Sequence, residues 1–275
     1  VRHLVIDGLN LANVDAVKAE GDANNWSHHI TLEHLTIVNH DANQQTVGIS
    51  TKSPAWDWVI RYNVIHSAGT GMYLGNSNGE AAFIRGLIEY NLVADPVGYC
   101  MQIKHQNPRP SLSGMPPDGS VTIIRHNVFI KDDDPSPSGD RPNVLIGHLP
   151  LSGVGQNDRY EIYGNLFFHN PREALFQGEG NLHLHDNLFV DSGAGWPAVN
   201  IRPHNDVPRD VLVYHNTVYA ADTGITVSGA DSGSTQAVLG NAVFATTPLN
   251  VGSAQESDNV TDSVANAGTY VVSPS

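Results

Sequence analysis

Four side chains pose the chemical question. Lys104, His148, Glu179 and Arg202 stand at or just beyond the ends of four short segments, MQIK, VLIG, LFQG and VNIR. The set is rich in cations, yet the chain as a whole is acidic, with 14 Lys and Arg against 28 Asp and Glu and a formal charge of −14. A lysine or histidine beside an arginine suits removal of a proton next to a carboxylate. The amine or imidazole takes the proton, and the guanidinium neutralises the carboxylate and the enolate it becomes. Lys104 or His148 is then the expected base, and Arg202 with His204 the carboxylate clamp. Tyr99, His105 and Arg109 are expected as acid or binding groups, Gln177 as a further binding group, and Glu179 as a group that orients a cation or ligates a metal. Hydrolysis of a glycosidic bond would instead ask for two facing carboxylates, ~5–5.5 Å apart for retention or ~6.5–9.5 Å for inversion. The same segments supply only Glu179, with Asp140, Asp158 and Glu173 in or near turns.

These residues form one site only if their segments stack. A repeat shows that they do. VIRYNVI, LIEYNLV, IIRHNVF, EIYGNLF, HLHDNLF, LVYHNTV and VLGNAVF share an asparagine: Asn63, Asn91, Asn127, Asn165, Asn187, Asn216 and Asn241. LVIDGLNL and ITLEHLTI fit the frame with Gly8 and His34 in the Asn place. Apolar residues alternate before the Asn and bulky ones follow it, the period of strands with one face inward. A second short strand then appears as GIST, GMYL, MQIK, VLIG, LFQG, VNIR and GITV. A unit of this size cannot bury its own apolar face and must stack on its neighbours. Stacking every ~4.8 Å also gives the Asn a purpose: it accepts left-handed geometry in a bend and donates to the same Asn one coil away. The reading is an all-β chain, 1–275 as one solenoid of about nine coils, opening directly in a strand as though processed or truncated upstream, with 252–275 as a capping tail.

This repeat resembles that of right-handed parallel β-helix proteins, the superfamily of pectate lyases, alginate and chondroitin lyases, polygalacturonases and phage tailspikes. The resemblance covers roughly residues 1–251. It implies a right-handed parallel β-helix and carbohydrate as substrate or partner, without choosing among lyase, hydrolase, epimerase and adhesin. Lyases of this superfamily commonly use Lys or Arg as base and many use Ca²⁺ as neutraliser, so Ca²⁺ is the cofactor the resemblance leaves open.

Insertions mark the working face. The spacings after Asn91 and Asn127 are 36 and 38 residues, and the extra residues, 105–120, 131–142 and 149–158, are rich in Pro, Gly and Ser. Such loops are expected to wall a groove. In register, Lys104, His148, Glu179 and Arg202 would span three steps, about 14 Å, or two to three sugars. The expected function is a lyase acting on a uronate polymer by β-elimination; the alternative is an adhesive or scaffolding β-helix, with a hydrolase or epimerase third.

The remaining features read more plainly. The acidic charge disfavours nucleic acid as a general partner, so an acidic glycan would need a local basic patch. No apolar run approaches the ~20 residues of a membrane span, and the expected location is extracellular or periplasmic. The open end of a solenoid leaves strand edges that invite end-to-end self-association. Cys100, the single cysteine, reads as a buried small hydrophobe. Asp132, Asp133 and Asp134 read as a solvated acidic loop before a calcium site, and His183 and His185 as polar residues on one strand face.

Overall fold

A computed structural model describes residues 1–22, 25–193 and 195–271. Its strands form three long parallel sheets of nine, ten and nine strands, with a small three-stranded sheet beside them. Each coil contributes a strand before the Asn, one just after it, and a third beyond a longer turn, as in Val121–Arg125, Val128–Ile130 and Val144–Ile146. These strands belong to the first, second and third sheets, and every pairing is between consecutive coils and parallel. The right hand follows from strand twist, since parallel crossovers pack back on a sheet in that sense. The chain is a right-handed parallel β-helix.

Inward positions stack like with like. In the first sheet Leu32, Ile60, Ile88, Ile124, Ile162, Leu184, Val213 and Val238 form one line, and all are essentially sealed from solvent. In the second, Phe129, Phe167 and Phe189 stack with ring centres 5.4 and 4.5 Å apart. Cys100 lies in this core, and burial pushes its thiol up to about 12, so it is inert as a nucleophile.

The asparagine line is a hydrogen-bonded ladder. Each Nδ2 donates to the next Oδ1 at 2.9–3.0 Å, from Asn63 through Asn91, Asn127, Asn165, Asn187, Asn216 and Asn241. Asn241 donates onward to Asn259 at 3.0 Å, a rung the repeat count omitted although SDNV has the same grammar. The same Oδ1 also takes the backbone N–H of the Asn below, as when Asn127 accepts from Asn91 at 3.0 Å.

Two expectations need correction. The left-handed residue is not the Asn but the one before it: Tyr62, Tyr90, His126, Asp186, His215 and Asp258 have φ of 51–56°. The first two coils are also shifted by one frame position or more. Strand pairing puts His34 beside Tyr62 and Leu35 beside Asn63, with Leu4 beside Leu35, so neither His34 nor Gly8 holds the Asn place. Leu35 offers only its N–H, which donates to Asn63 Oδ1 at 3.0 Å. The left-handed places are filled instead by a stack of rings, His3, His34, Tyr62, Tyr90 and His126, with centres 5.0–5.1 Å apart.

The ladder also runs past residue 251, through Gln255–Ser257 and Val260–Asp262. Only then does a 3-10 helix, Val264–Thr269, fold over the end, with Tyr270 against Phe244 at 5.7 Å. No helix among the described residues is long and apolar enough to cross a membrane.

Removing a mid-ladder amide strands its buried partners. Asn127 donates to Asn165, Ile88 O and Arg125 O as well as accepting from Asn91. Asn127→Ala is expected to cost at least ~1–3 kcal/mol, and Asn259→Ala, with fewer buried partners, less; thermal melts of the two variants decide it.

Candidate functional site

The third sheet turns one face outward, and both of its long edges carry loops. Its outward line runs Ser50, Tyr73, Gln102, Leu145, Gln177, Asn200 and Thr226. The 131–142 loop arises on the edge leading in. The 105–120 and 147–158 loops leave on the other edge. Of these loops only the 131–142 loop, through Arg141, lines the cleft on this face.

Lys104 and Arg202 do share a column at the outgoing edge. Ile103, Ile146, Gly178 and Ile201 pair in succession, so the residues after them are Lys104, Gly147, Glu179 and Arg202. His148 is displaced by one residue and does not belong to that column. The cause is Gly147: a Cβ there would sit 2.3 Å from the His105 backbone nitrogen, so the column bends inward without a side chain. His148 falls in the next column and stacks on His105, ring centres 5.2 Å apart. Burial holds both imidazoles below the usual range, with Glu179 and Asp206 opposing it at His148.

Glu179 keeps the column but not the expected role. Its carboxylate is buried and accepts the backbone N–H groups of His148, His204, Asn205 and Asp206 at 2.8–3.2 Å. That is an anion nest made by the chain's own loop, and it leaves no oxygen for a sugar or a metal. The loop following Arg202 is shaped around it. His204 is exposed at the loop's start. Arg109 is likewise committed: its guanidinium is buried against Asp158 and bonds Pro117 O at 2.9 Å. It ties the 105–120 loop to residue 158 rather than facing a ligand.

The remaining expected residues meet on the outward face. Tyr99, Lys104 and Gln102 line a cleft of about 180 Å³ with Tyr73, Gln44 and Arg141. Lys104 Nζ lies 5.9 Å from the Tyr73 ring centre, Lys52 Nζ 5.0 Å from the same ring, and the Arg141 guanidinium 5.8 Å from Tyr99. Burial, then Arg141, lowers Lys104 from its ordinary value, while Glu179 opposes. Tyr99 is raised, first by burial. An amine more easily neutral and a phenol that stays protonated thus line one cleft with the Arg141 guanidinium, and the ring nearest the amine is Tyr73. Gln177 lies in the outward line two coils beyond Gln102.

Three groove residues escaped sequence reasoning as a set. Arg141, Glu173 and Trp196 each stand three residues before the paired positions Val144, Phe176 and Val199. Arg202 lies over Trp196 at 5.9 Å. Glu173 is buried, accepts its neighbour Ala174's N–H at 2.5 Å, and is raised by burial despite Arg202, Lys131 and Arg141. That constant offset was the available signal.

Asp133 binds His169 at 2.9 Å and Asp132 accepts the Asp134 N–H at 3.0 Å. His183 and His185 both approach Glu161 at 3.4 Å. Among the described residues no group of three or more His, Cys, Asp or Glu is arranged to hold a metal ion.

Fold and groove define a parallel β-helix with a cation-bearing outward cleft. No family model matches the chain, and no curated protein matches it in sequence. Among solved structures it is similar to the A-module of the mannuronan C-5 epimerase AlgE6 from Azotobacter vinelandii, with TM-score 0.57 and 15% identity over 94% of this chain and 72% of that one. At that identity the likeness speaks for the fold.

Arg109→Ala leaves Asp158 charged and buried without its partner and is expected to cost ~3–5 kcal/mol. Arg141 is half-buried, and among the described residues its guanidinium bonds only the loop carbonyls of Ser138 and Asp140, so Arg141→Ala should leave the melting temperature within a few degrees of wild type. A chemical-denaturation series on the two variants separates the wall-building arginine from the groove arginine.

Proposed function

We propose that the protein acts on a uronate-containing polysaccharide by removing the C5 proton of a uronyl residue, with β-elimination as the outcome. What supports this reading is that Lys104 and Tyr99 line one cleft together with Arg141, with Arg202 three ladder steps along. Glu173 spends an oxygen on the Ala174 N–H and Glu179 is ringed by loop N–H groups, so these two do not form the facing carboxylates of hydrolysis.

The chemistry runs as follows. Neutral Lys104 takes the C5 proton, and the C–H electrons move into the carboxylate as an enolate held by guanidinium. The enolate collapses to a C4–C5 double bond as the C4–O4 bond breaks, and Tyr99 gives its proton to the departing oxygen. Lys104 cannot serve while charged. Its lowered value brings the working form closer to neutrality.

Epimerisation shares the first half of this path and differs only in how the enolate is quenched, by a proton delivered to the opposite face of C5. The structural similarity to a mannuronan C-5 epimerase module favours keeping it as the second reading. Both readings make the polymer acidic, which the local cations accommodate within an acidic protein.

Polymannuronate, polyguluronate, polygalacturonate and glycosaminoglycans, with and without Ca²⁺, are the substrates to try in deuterated water. Ultraviolet absorbance of an unsaturated uronate reports elimination, and deuterium at C5 without unsaturation reports epimerisation. Neither signal on any polymer removes the enzymatic reading and leaves the adhesin. On the active substrate, Lys104→Ala and Tyr99→Phe are each expected to lower turnover by ~10²–10⁴, and Arg202→Ala to raise KM as well. A His148→Ala loss equal to that of Lys104→Ala would move the base to the buried histidine.

A pH profile gives an independent reading. The base works only when unprotonated, so kcat/KM should rise with pH and level off at a pKa below that of free lysine, the direction burial imposes on Lys104. Activity that falls through that range, or a profile unchanged in Lys104→Ala, would assign the proton to another group.

A further inference from the structure

A second cleft, of about 470 Å³, opens on the outside of the first sheet and belongs to no part of the groove described above. Arg159, Asn181 and Asp210 line it in one column, because Val121 pairs with Arg159 and the following positions stack in step. Asn157 and Arg209 close it from the loops, and Leu212 gives it a partly apolar floor.

Arg209 is the unusual member. Its Nε and Nη2 are buried and have no hydrogen-bond partner among the described residues. The guanidinium lines the cleft through what remains of it. Arg209 helps to hold Asp231 and His148 low, and the Asp231 carboxylate is already bonded to Ser234 Oγ at 2.8 Å and to the Gly233 N–H at 3.2 Å. A cation held this way gains from an incoming anion, since a buried charge lacking its hydrogen bonds is costly. The other walls are of a different kind. Asn181 binds the backbone at Asp158 O and Gln156 O, at 2.7 and 3.1 Å, and Asp210 spends one oxygen on the Thr235 N–H at 3.1 Å.

The Asp210 carboxylate and the side chain of Asn157, whose Nδ2 also donates to Asp118 at 2.7 Å, suit hydroxyl groups beside the cation, and Leu212 suits the C–H face of a ring. A phosphate site would not place Asp210 in the wall. We propose that this cleft is a second glycan site that seats one uronyl residue, its carboxylate on Arg209 and its hydroxyls on Asp210 and Asn157. The inference rests on the uronate reading of the protein. Arg202 and Arg209 begin and nearly end the one loop that Glu179 anchors. The two sites are therefore held in fixed relation, and a polymer leaving the groove over that edge meets the second cleft.

The test uses a uronate trisaccharide of the type the enzyme attacks, titrated calorimetrically into Lys104→Ala protein so that turnover does not intervene. Two binding events are expected. Adding Arg209→Ala should weaken one by roughly tenfold to a hundredfold, Arg209→Lys should restore part of it, and Arg202→Ala should weaken the other. Hydrogen exchange at 156–159 and 233–236 should slow with the trisaccharide in protein whose Arg209 is intact, a readout that needs no Arg209 variant to fold. A single event that Arg202→Ala removes and Arg209→Ala leaves unchanged, with no added protection at those segments, overturns the second site alone. No binding at either place overturns it together with the proposed function. A neutral trisaccharide bound equally well at the second cleft also overturns it.

Discussion

Everything in this molecule depends on one interaction repeated along its axis: an asparagine amide that bonds the amide one coil above and the amide and backbone one coil below. The bond matters less for its strength than for what it excludes. A slip of one residue would turn the whole inward line of a strand to solvent, and it would also leave a buried amide unmatched at both ends. Parallel pairing alone would tolerate some drift between coils of unequal length. The ladder does not, and coils of 22 and 38 residues lie next to each other without losing register.

The same constraint explains where the irregularity goes. Since the three strands of each coil and the Asn bend cannot lengthen, extra residues collect at the edges of the third sheet. There they need anchors of their own, and the anchors are buried ions. Arg109 with Asp158 ties one wall, and Glu179, ringed by backbone N–H groups, folds the loop after Arg202. Each ion is enclosed by loop backbone rather than left for a ligand. Charges that resemble catalytic groups in the sequence are thus consumed in holding up the walls, and those left on the outward face, Lys104, Arg141 and Arg202, are fewer.

This is also why the fold was legible in the sequence and the site only partly so. The Asn, the inward aliphatics and the loop insertions each repeat at one place per coil, and repetition survives without coordinates. Lys104, Arg202, Tyr99 and Gln177 stand on or beside the third strand, where the repeat alone could place them. His148 was misplaced because Gly147 cannot carry a side chain against the His105 backbone, a contact between coils that no spacing reveals. Glu179 and Arg109 were misread because burial, not residue type, separates an anchor from a ligand group. The bend was assigned to Asn itself, whereas the ring and aspartate side chains before it take the left-handed geometry. Asn259 and the set of Arg141, Glu173 and Trp196 obey the repeat but sit among loop residues, where the pattern is masked by composition.

The charge balance then takes on a different meaning. With a formal charge of −14, the protein as a whole repels a polyanion at long range, and that repulsion is screened beyond ~8 Å at physiological ionic strength. Contacts with half-buried Lys104 and Arg202 are short and partly shielded from salt, so screening removes more of the repulsion than of the attraction. On the proposed reading, an acidic solenoid would hold a uronate chain at the cations of its groove rather than by its surface at large. The coil repeat of ~4.8 Å would then set which carboxylates can meet a guanidinium or amine together.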